Sequence, residues 1–351
     1  MQNANFRPNT GMRIFKFAAI LAARFGPAAI IGAVMAVGLG WTAHGAEPGA
    51  TPLLVPILGN DYAPFASVEA GAAFVELHEW VFKSSGTDAK ISAIDYNMGC
   101  NGGFRLGLGF EPYNKLKKTG LGISGVYASY LPVNRGSVSD CDWDDNGSLF
   151  SLGNGTASSV AFTDIEGKLK LYIPLGKTPA LVLMAKLWYC RYAATTHGGW
   201  IQQVIIGESW DDGLPKEPLY GMSMMYIQEW FSIAPGLGLW LQLGKAHSIS
   251  LYATVWGGVW GNHLDYHYFR QLIYKDDVKG NLPVSVEAEW KYQIKRYGEI
   301  GVTLGYKAVP KARGSSHIMT AGLVDDVFYE ADAAGASIIQ IYGGLTYKLW
   351  L

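Results

Sequence analysis

The sequence has few charged residues and no excess of either sign. Charged residues make up 16% of the chain, against roughly 25% in soluble domains. The formal net charge at pH 7 is −1. A chain without a basic excess does not attract phosphate backbones, so we expect no nucleic-acid partner.

Long apolar runs are also missing from most of the chain. Beyond residue 46 there is no stretch of about 20 uncharged apolar residues, which excludes a membrane-spanning helix there. Yet 13% of the residues are aromatic and 44 are glycine, so much apolar surface must be placed without such a helix. This combination is typical of a transmembrane β-barrel.

Cysteine is scarce and unpatterned. Cys100, Cys141 and Cys190 are an odd number and show no C-x-x-C spacing, which excludes a disulfide framework and a cysteine zinc site. The sequence predicts isolated thiols, or one bridge whose members it does not identify. We expect no metal.

One acidic segment resembles the start of a calcium-binding loop. Asp142, Asp144, Asn146 and Gly147 follow the spacing of an EF-hand. The twelfth position, however, holds Gly153 instead of the glutamate that chelates the ion. A solvated acidic turn is the simpler interpretation of this segment.

The amino terminus has the features of a secretory signal peptide. Arg13 and Lys16 precede a long apolar stretch, and the small residues Ala43 and Gly45 suit cleavage before Ala46. An uncleaved membrane anchor is the alternative for this stretch.

The chain therefore divides into three predicted segments. Residues 1–45 form the signal peptide, and Met12 followed by a basic residue is an alternative start. Residues 46–67 form a periplasmic segment, and residues 68–351 form the barrel. An exported barrel of this kind is expected in the outer membrane of a Gram-negative-type bacterium.

From about residue 68 onward the side chains alternate with a period of two. Over Val284–Lys295 apolar residues occupy one face and polar or charged residues the other. Over Ile165–Ile173 the charged residues from Asp164 to Lys170 likewise share one face. A barrel wall explains such long strands, because one face meets lipid and the other faces the lumen. The last residues, to Leu351, form an amphipathic closing strand.

Turn lengths predict the strand count. Short turns near Glu111–Lys117, Pro174–Pro179, Gly244–Ser248 and Lys295–Gly298 alternate with longer polar segments. The fold is therefore predicted as all-β, a ten-stranded antiparallel transmembrane barrel with long extracellular loops. The predicted loops cover residues 132–157, 195–218, 261–282 and 310–335, with a smaller one at 84–90.

Two acidic motifs fall on the same outer rim in this arrangement. Asp265 and His267 are two residues apart, so on an extended segment they share a face and the carboxylate can orient the imidazole. Asp140 and Asp142 have the same spacing on the opposite loop. Alone, each motif is also compatible with solvated loop residues. We predict that the four side chains face one another.

These motifs together resemble the omptins, the outer-membrane proteases of Gram-negative bacteria. Further similar stretches occur in the same order along residues 68–351. They are Gly71–Phe82, the segment from Lys90 to Tyr96, Ala185–Gly199 and Tyr342–Leu351.

The resemblance implies a mechanism and a specificity. Asp265 and His267 match the family's acid–histidine dyad, and Asp140 and Asp142 match its paired aspartates. A water activated by this group would cleave peptides without an acyl-enzyme or a metal. Family members favour cleavage between two basic residues, and Glu79 falls where they keep a glutamate at the base of the pocket for the P1 side chain.

This chain departs from the family pattern at several positions. The aspartate usually found two residues before the dyad aspartate is His263, which removes a negative charge and, if protonated, adds a positive one. We therefore predict reduced dibasic cleavage. The W-T-D-x-S-x-H-P signature after the aspartate pair is replaced by glycine-rich Ser148–Ser159.

The resemblance also implies dependence on lipopolysaccharide, which omptins bind outside the barrel. Arg191 matches one basic contact residue for this lipid. Its usual companions, a glutamate and a tyrosine, are replaced by Tyr189 and Leu187, so the dependence is weakly supported. No other cofactor is expected.

The expected function is a surface endopeptidase, monomeric, with peptide or protein substrates. The alternative is a non-catalytic barrel whose loops bind host molecules as an adhesin. Retention of all four catalytic side chains favours the protease. A solute channel is disfavoured because charged side chains should fill a ten-stranded lumen. His78 and His247 are interpreted as wall or turn residues without a role.

Overall fold

The computed structural model describes residues 62–83, 88–112, 114–205, 208–294, 298–320 and 327–351. The regular elements in these ranges are all β-strands, and no helix in them is long and apolar enough to cross a membrane. The predicted signal peptide and residues 46–61 of the predicted periplasmic segment lie outside the described residues. Its last residues, from Tyr62 to Ser67, belong to the first strand, which begins before the expected start at residue 68.

Within the described ranges, fourteen strands form one continuous sheet. In chain order they are β1 (Tyr62–Phe82), β2 (Lys90–Pro112), β3 (Gly120–Pro132), β4 (Gly136–Trp143), β5 (Leu149–Pro174), β6 (Pro179–Gln203), β7 (Glu217–Pro218), β8 (Met222–Leu243), β9 (His247–Thr254), β10 (Gly258–His267), β11 (Leu272–Gly280), β12 (Val284–Ile294), β13 (Gly298–Thr320) and β14 (Val327–Trp350).

The sheet closes on itself through ten strand positions. In its lower part the ring runs β1-β2-β3-β5-β6-β8-β9-β12-β13-β14, and β14 pairs with β1 to close it. In its upper part β4 replaces β3, β10 replaces β9 and β11 replaces β12 as each broken strand continues upward. The predicted ten-stranded antiparallel barrel is confirmed.

The outer wall carries a band of exposed apolar side chains in the lower barrel. The alternation predicted for β12 is confirmed, because Val286 and Trp290 are exposed whereas Glu287 between them is buried in the lumen. Exposed apolar side chains around a closed barrel define the surface that meets lipid. They include Val68, Phe74, Leu106, Leu304, Ile341 and Leu345.

Above this band the outward side chains become polar. Glu76 and His78 follow Phe74 on the outer face of β1. Asp95 lies on the outer face of β2, where it contacts His78. Glu229 on β8 forms an ion pair with Arg191 on the neighbouring strand β6. Strand residues at and above this level lie outside the membrane-spanning part of the barrel.

The lower lumen is filled by ion pairs. Lys168 contacts Glu287 at 2.5 Å and Glu166 at 3.1 Å, while Arg105 contacts Glu69 at 3.3 Å. All of these side chains are buried. The charged faces predicted for β5 and β12 therefore point inward and neutralise each other.

Among the described residues, the predicted loops 132–157, 261–282 and 310–335 are mostly strand, which corrects that part of the fold prediction, whereas most of 195–218 is not. β4 and β5 take up most of residues 132–157, β6 continues to Gln203, and β10 and β11 leave only residues 268–271 as a turn. Above the membrane the outer face meets water, so apolar alternation disappears while backbone pairing still satisfies each N–H and C=O. The short turns predicted after β5 and β8 are confirmed.

Candidate functional site

The Asp–His pair lies at the upper end of β10. This strand is hydrogen-bonded to β8 on one side and β11 on the other, which fixes the direction of its side chains. Asp265 and His267 are both buried on the inner face, with Oδ2 of Asp265 2.6 Å from Nε2 of His267. Burial opposes protonation, but the Asp265 carboxylate outweighs it and raises the pKa of His267.

The aspartate pair lies on β4, between β2 and β5. Asp140 is paired with Ile94 and Asp142 with Ser92, so the carboxylates occupy successive inner positions of one short strand. Asp142 is buried, and so is Oδ1 of Asp140. The pair therefore stands on a paired strand and not on the loop that the sequence predicted.

Arg270 connects the two halves of the site. It lies in the turn between β10 and β11, and its Nη2 atom is 3.1 Å from Oδ2 of Asp142. This contact draws the turn that follows His267 against β4. Sequence analysis missed Arg270, because nothing local distinguishes it from other basic turn residues.

The aspartates of the pair have different surroundings. Asp142 has the Arg270 guanidinium, whereas Oδ1 of Asp140 has no hydrogen-bond partner among the described residues. Burial first, and then the negative charge of Asp142, raise the pKa of Asp140 to about 7, although His267 and Arg270 oppose the rise. The charges of Asp140 and His267 act on each other, so the structure brings the four predicted side chains together.

A second group of buried polar side chains lies below the dyad. Glu79 on β1 is buried, and burial followed by the charges of Asp265 and Asp276 raises its pKa well above the usual range. His263 on β10 packs edge-on against Trp230, with ring centroids 4.7 Å apart. Burial lowers the pKa of His263 to about 3, so at neutral pH it adds no positive charge.

Asp276 is the member of this group that sequence analysis missed. It lies on β11 directly across from His263, and it is buried. Burial raises the pKa of Asp276 to about 7, with Ser316 opposing and Asp265 adding to the rise. The sequence carries only a weak signal for it, a Lys-Asp-Asp run in a segment that was predicted to be loop.

Arg191 lies on the outer wall, where lipopolysaccharide binding was predicted. Its Nε atom is 3.0 Å from Oε1 of Glu229 on the neighbouring strand, and the hydroxyl of Tyr189 donates to the same oxygen at 3.4 Å. Both members of the ion pair are partly exposed. The predicted lipid contact remains a prediction.

The calcium-like segment forms a tight turn between β4 and β5. Oδ1 of Asp144 accepts from the backbone N–H groups of Asn146 and Ser148, both at 2.8 Å, and Gly147 has a φ of 82°. The acid therefore caps the turn. Within the described ranges no three His, Cys, Asp or Glu side chains are arranged to hold a metal ion, and all three cysteines are free.

A ten-stranded barrel with an apolar outer band and a buried Asp–His pair facing two aspartates defines an outer-membrane β-barrel with a hydrolase-type site. The model of the Omptin family matches residues 66–349, which is most of the sequence. The chain belongs to the omptin family. It is accordingly an outer-membrane protease of omptin type, with its site on the cell surface.

Comparison with solved structures supports the fold. The chain is similar to the outer-membrane protease OmpT from Escherichia coli, with a TM-score of 0.67 and 16% identity over 82% of this chain and 97% of that one. The transport unit of the autotransporter AIDA-I from Escherichia coli gives a TM-score of 0.32 at 10% identity, covering 90% of this chain and 96% of that one. The second score is too low to support an assignment. A search of curated protein sequences found no match.

Proposed function

We propose that this omptin is an endopeptidase of the aspartic type, in which Asp265, His267, Asp140 and Asp142 activate a water against the peptide bond. The observation that carries the proposal is the buried Asp265–His267 hydrogen bond. Asp140 lies close enough for its charge to act on the imidazole of His267. Every site residue comes from one chain, so a monomer suffices.

His267 acts as the general base. The Asp265 carboxylate accepts a hydrogen bond from Nε2, which must therefore carry a hydrogen, and this leaves Nδ1 with a free lone pair. Nδ1 takes a proton from the attacking water, and Asp265 stabilises the imidazolium that results. No acyl-enzyme forms, because the nucleophile is the water itself.

Asp140 and Asp142 divide the remaining tasks. Asp140 is protonated at and below about pH 7 and can donate a hydrogen bond to the oxyanion that develops on the scissile carbonyl. Asp142, whose Oδ2 atom lies 3.1 Å from Nη2 of Arg270, accepts a hydrogen bond from the water. The pair thus provides a hydrogen-bond donor for the oxyanion and an acceptor for the nucleophile.

The substrates are peptides or proteins cut next to basic residues. Glu79 is a buried carboxylate below the dyad, and a buried carboxylate selects arginine or lysine by charge pairing. A lipopolysaccharide that activates the enzyme through Arg191 would have to share this side chain with Glu229, which Arg191 contacts at 3.0 Å.

The experiment compares wild type with His267→Ala on a mixed peptide library, after refolding in detergent with and without lipopolysaccharide. We expect kcat/KM to fall by about 10³-fold, in line with the loss of a general base. His78→Ala is the matched control, because His78 also lies 2.6 Å from an aspartate, Asp95, but on the outer wall. It should cleave like wild type.

The result that contradicts the proposal is equally specific. If wild type and His267→Ala are both inert under every lipid condition, the adhesin hypothesis gains. If His267→Ala retains wild-type cleavage, the water is activated elsewhere.

A further inference from the structure

Asp276 is not among the site residues predicted from the sequence. On β11 the side chains of Lys275 and Asp277 are exposed, and that of Asp276 between them is buried on the inner face. In the β10–β11 register Asp276 is paired with His263, the residue that stands where the family keeps its second acid. The missing carboxylate is thus replaced by one on the neighbouring strand, in direct register.

Several buried polar atoms around this position lack a hydrogen-bond partner among the described residues. Oε2 of Glu79, Oδ1 of Asp276 and both ring nitrogens of His263 have no hydrogen-bond partner among the described residues. All three side chains are more than nine-tenths buried. Neither carboxylate forms an ion pair with any residue in the described ranges, and neutral His263 supplies no cation.

The two carboxylates share one environment. The charge of Asp276 acts on Glu79, and both act on the hydroxyl of Tyr226 on β8. Buried carboxylates without a partner are costly, and a cation that enters with its own hydrogen-bond donors removes that cost. Guanidinium and ammonium groups are such cations, and guanidinium can bridge two carboxylates.

The distance from the dyad suits a long side chain. Tyr274 is paired with Asp265, so Asp276 lies one inner position further along β11. Successive inner positions on a strand are roughly 7 Å apart. A lysine or arginine whose backbone is held beside the dyad can reach that depth.

We propose that Asp276 is the second acid of the specificity pocket and, together with Glu79, binds the arginine or lysine side chain that precedes the scissile bond. The proposal rests on the proposed endopeptidase function and reverses one expectation from the sequence. His263 removes an acid, but Asp276 restores it, so the basic preference is retained instead of reduced.

The test uses two peptides that differ only in arginine or methionine before the scissile bond. In Asp276→Asn the Arg-to-Met ratio of kcat/KM should fall about 10- to 100-fold, the range expected for one buried charged hydrogen bond. Asp277→Asn, the same change on the exposed face of the same strand, should leave the ratio unchanged. Asp276→Glu, which keeps the charge, should retain most of the preference.

Returning the acid to β10 gives an independent check. The double variant His263→Asp with Asp276→Asn should recover the Arg-to-Met ratio that Asp276→Asn loses. Recovery shows that a carboxylate at this depth sets specificity, whichever strand carries it. A structural role for Asp276 would leave the double variant no better than the single one.

The outcomes separate the two proposals. Cleavage that depends on His267 but has the same Arg-to-Met ratio in wild type and Asp276→Asn overturns the role of Asp276 and leaves the endopeptidase standing. If wild type cleaves neither peptide, both proposals fall.

Discussion

The lower and upper lumen of this barrel contain the same kinds of buried acid in opposite electrostatic situations. In the lower lumen Glu166 and Glu287 each contact two or more cations, among them Lys168 and Arg105. In the upper lumen Glu79 and Asp276 have none among the described residues, and Arg270 is the cation that contacts Asp142.

The difference shows which acids hold the barrel together and which are free to act on another molecule. Paired acids fill the lumen and fasten strand to strand across it. Unpaired acids lower stability, and are retained where function requires an incomplete charge balance. The pocket around Glu79 and Asp276 can therefore be located by the lack of a cation partner for its acids among the described residues, and not by the number of acids.

Two histidine–aspartate pairs support the same conclusion. His78 with Asp95 and His267 with Asp265 have equal separations of 2.6 Å. The first pair lies on the water-exposed outer wall, whereas the second is buried beside Asp140. The two pairs therefore share a hydrogen-bond length and differ in their surroundings.

The largest effect on stability is expected in the lower lumen. Glu287→Gln leaves Lys168 and Arg105 with less compensation in a buried setting, so the free energy of unfolding should fall by about 3–5 kcal/mol. Urea unfolding in lipid vesicles would measure it. Glu229→Gln, in the partly exposed pair with Arg191, is the control and should cost about 1 kcal/mol or less. If both variants lost the same free energy of unfolding, ion pairs in the lumen would be no more stabilising than the pair on the outer wall, which contradicts the prediction.

A smaller effect of opposite sign is expected in the upper lumen. Asp276→Asn should raise the free energy of unfolding at pH 8 by about 1–3 kcal/mol, because it removes a buried carboxylate that has no cation partner among the described residues. The pKa of Asp276 is about 7 in the folded chain, against roughly 3.9 for an unfolded aspartate. The stability that the protonated Asp276 carboxyl contributes is fully present below the unfolded pKa and is lost as pH rises through the folded pKa. The gain should therefore vanish at pH 4, and a gain independent of pH would contradict this explanation.

The smallest effect concerns the pH profile. Arg270 lowers the pKa values of both Asp140 and His267, so Arg270→Gln should raise both. In the proposed mechanism His267 must be neutral to accept a proton and Asp140 must be protonated to donate one, so both limbs of the profile should move to higher pH. At the acidic limb kcat/KM should fall by about tenfold or less. Lys275→Gln, an exposed change nearby, should leave the profile in place; an acidic shift in Arg270→Gln would contradict the assignment.

Much of the fold was predictable because alternation is local. The inner and outer faces of β5 and β12 follow from residues two apart, and the strand count follows from turn spacing. The length of the upper strands was not predictable from alternation. In the segments 132–157 and 261–282 polar side chains occupy positions on both faces, among them exposed Lys275 and buried Asp276, and these segments therefore resemble loops.

The residues of the site likewise fall into those that could be predicted from the sequence and those that could not. Asp265 with His267, and Asp140 with Asp142, could be found because each pair is two residues apart on one strand. Asp276 and Arg270 could not, because their positions depend on a four-residue turn and on the register of β11 against β10. A change of one residue in that register would turn Asp276 outward and Lys275 inward.

The most direct test of the account is kcat/KM of Asp265→Asn, measured together with its free energy of unfolding. Asp265 is an upper acid whose carboxylate orients His267, so the account predicts a loss of about 10³-fold in kcat/KM. The same variant should be at least as stable as wild type. Cleavage within a few-fold of wild type, or loss of the folded barrel, would contradict the account.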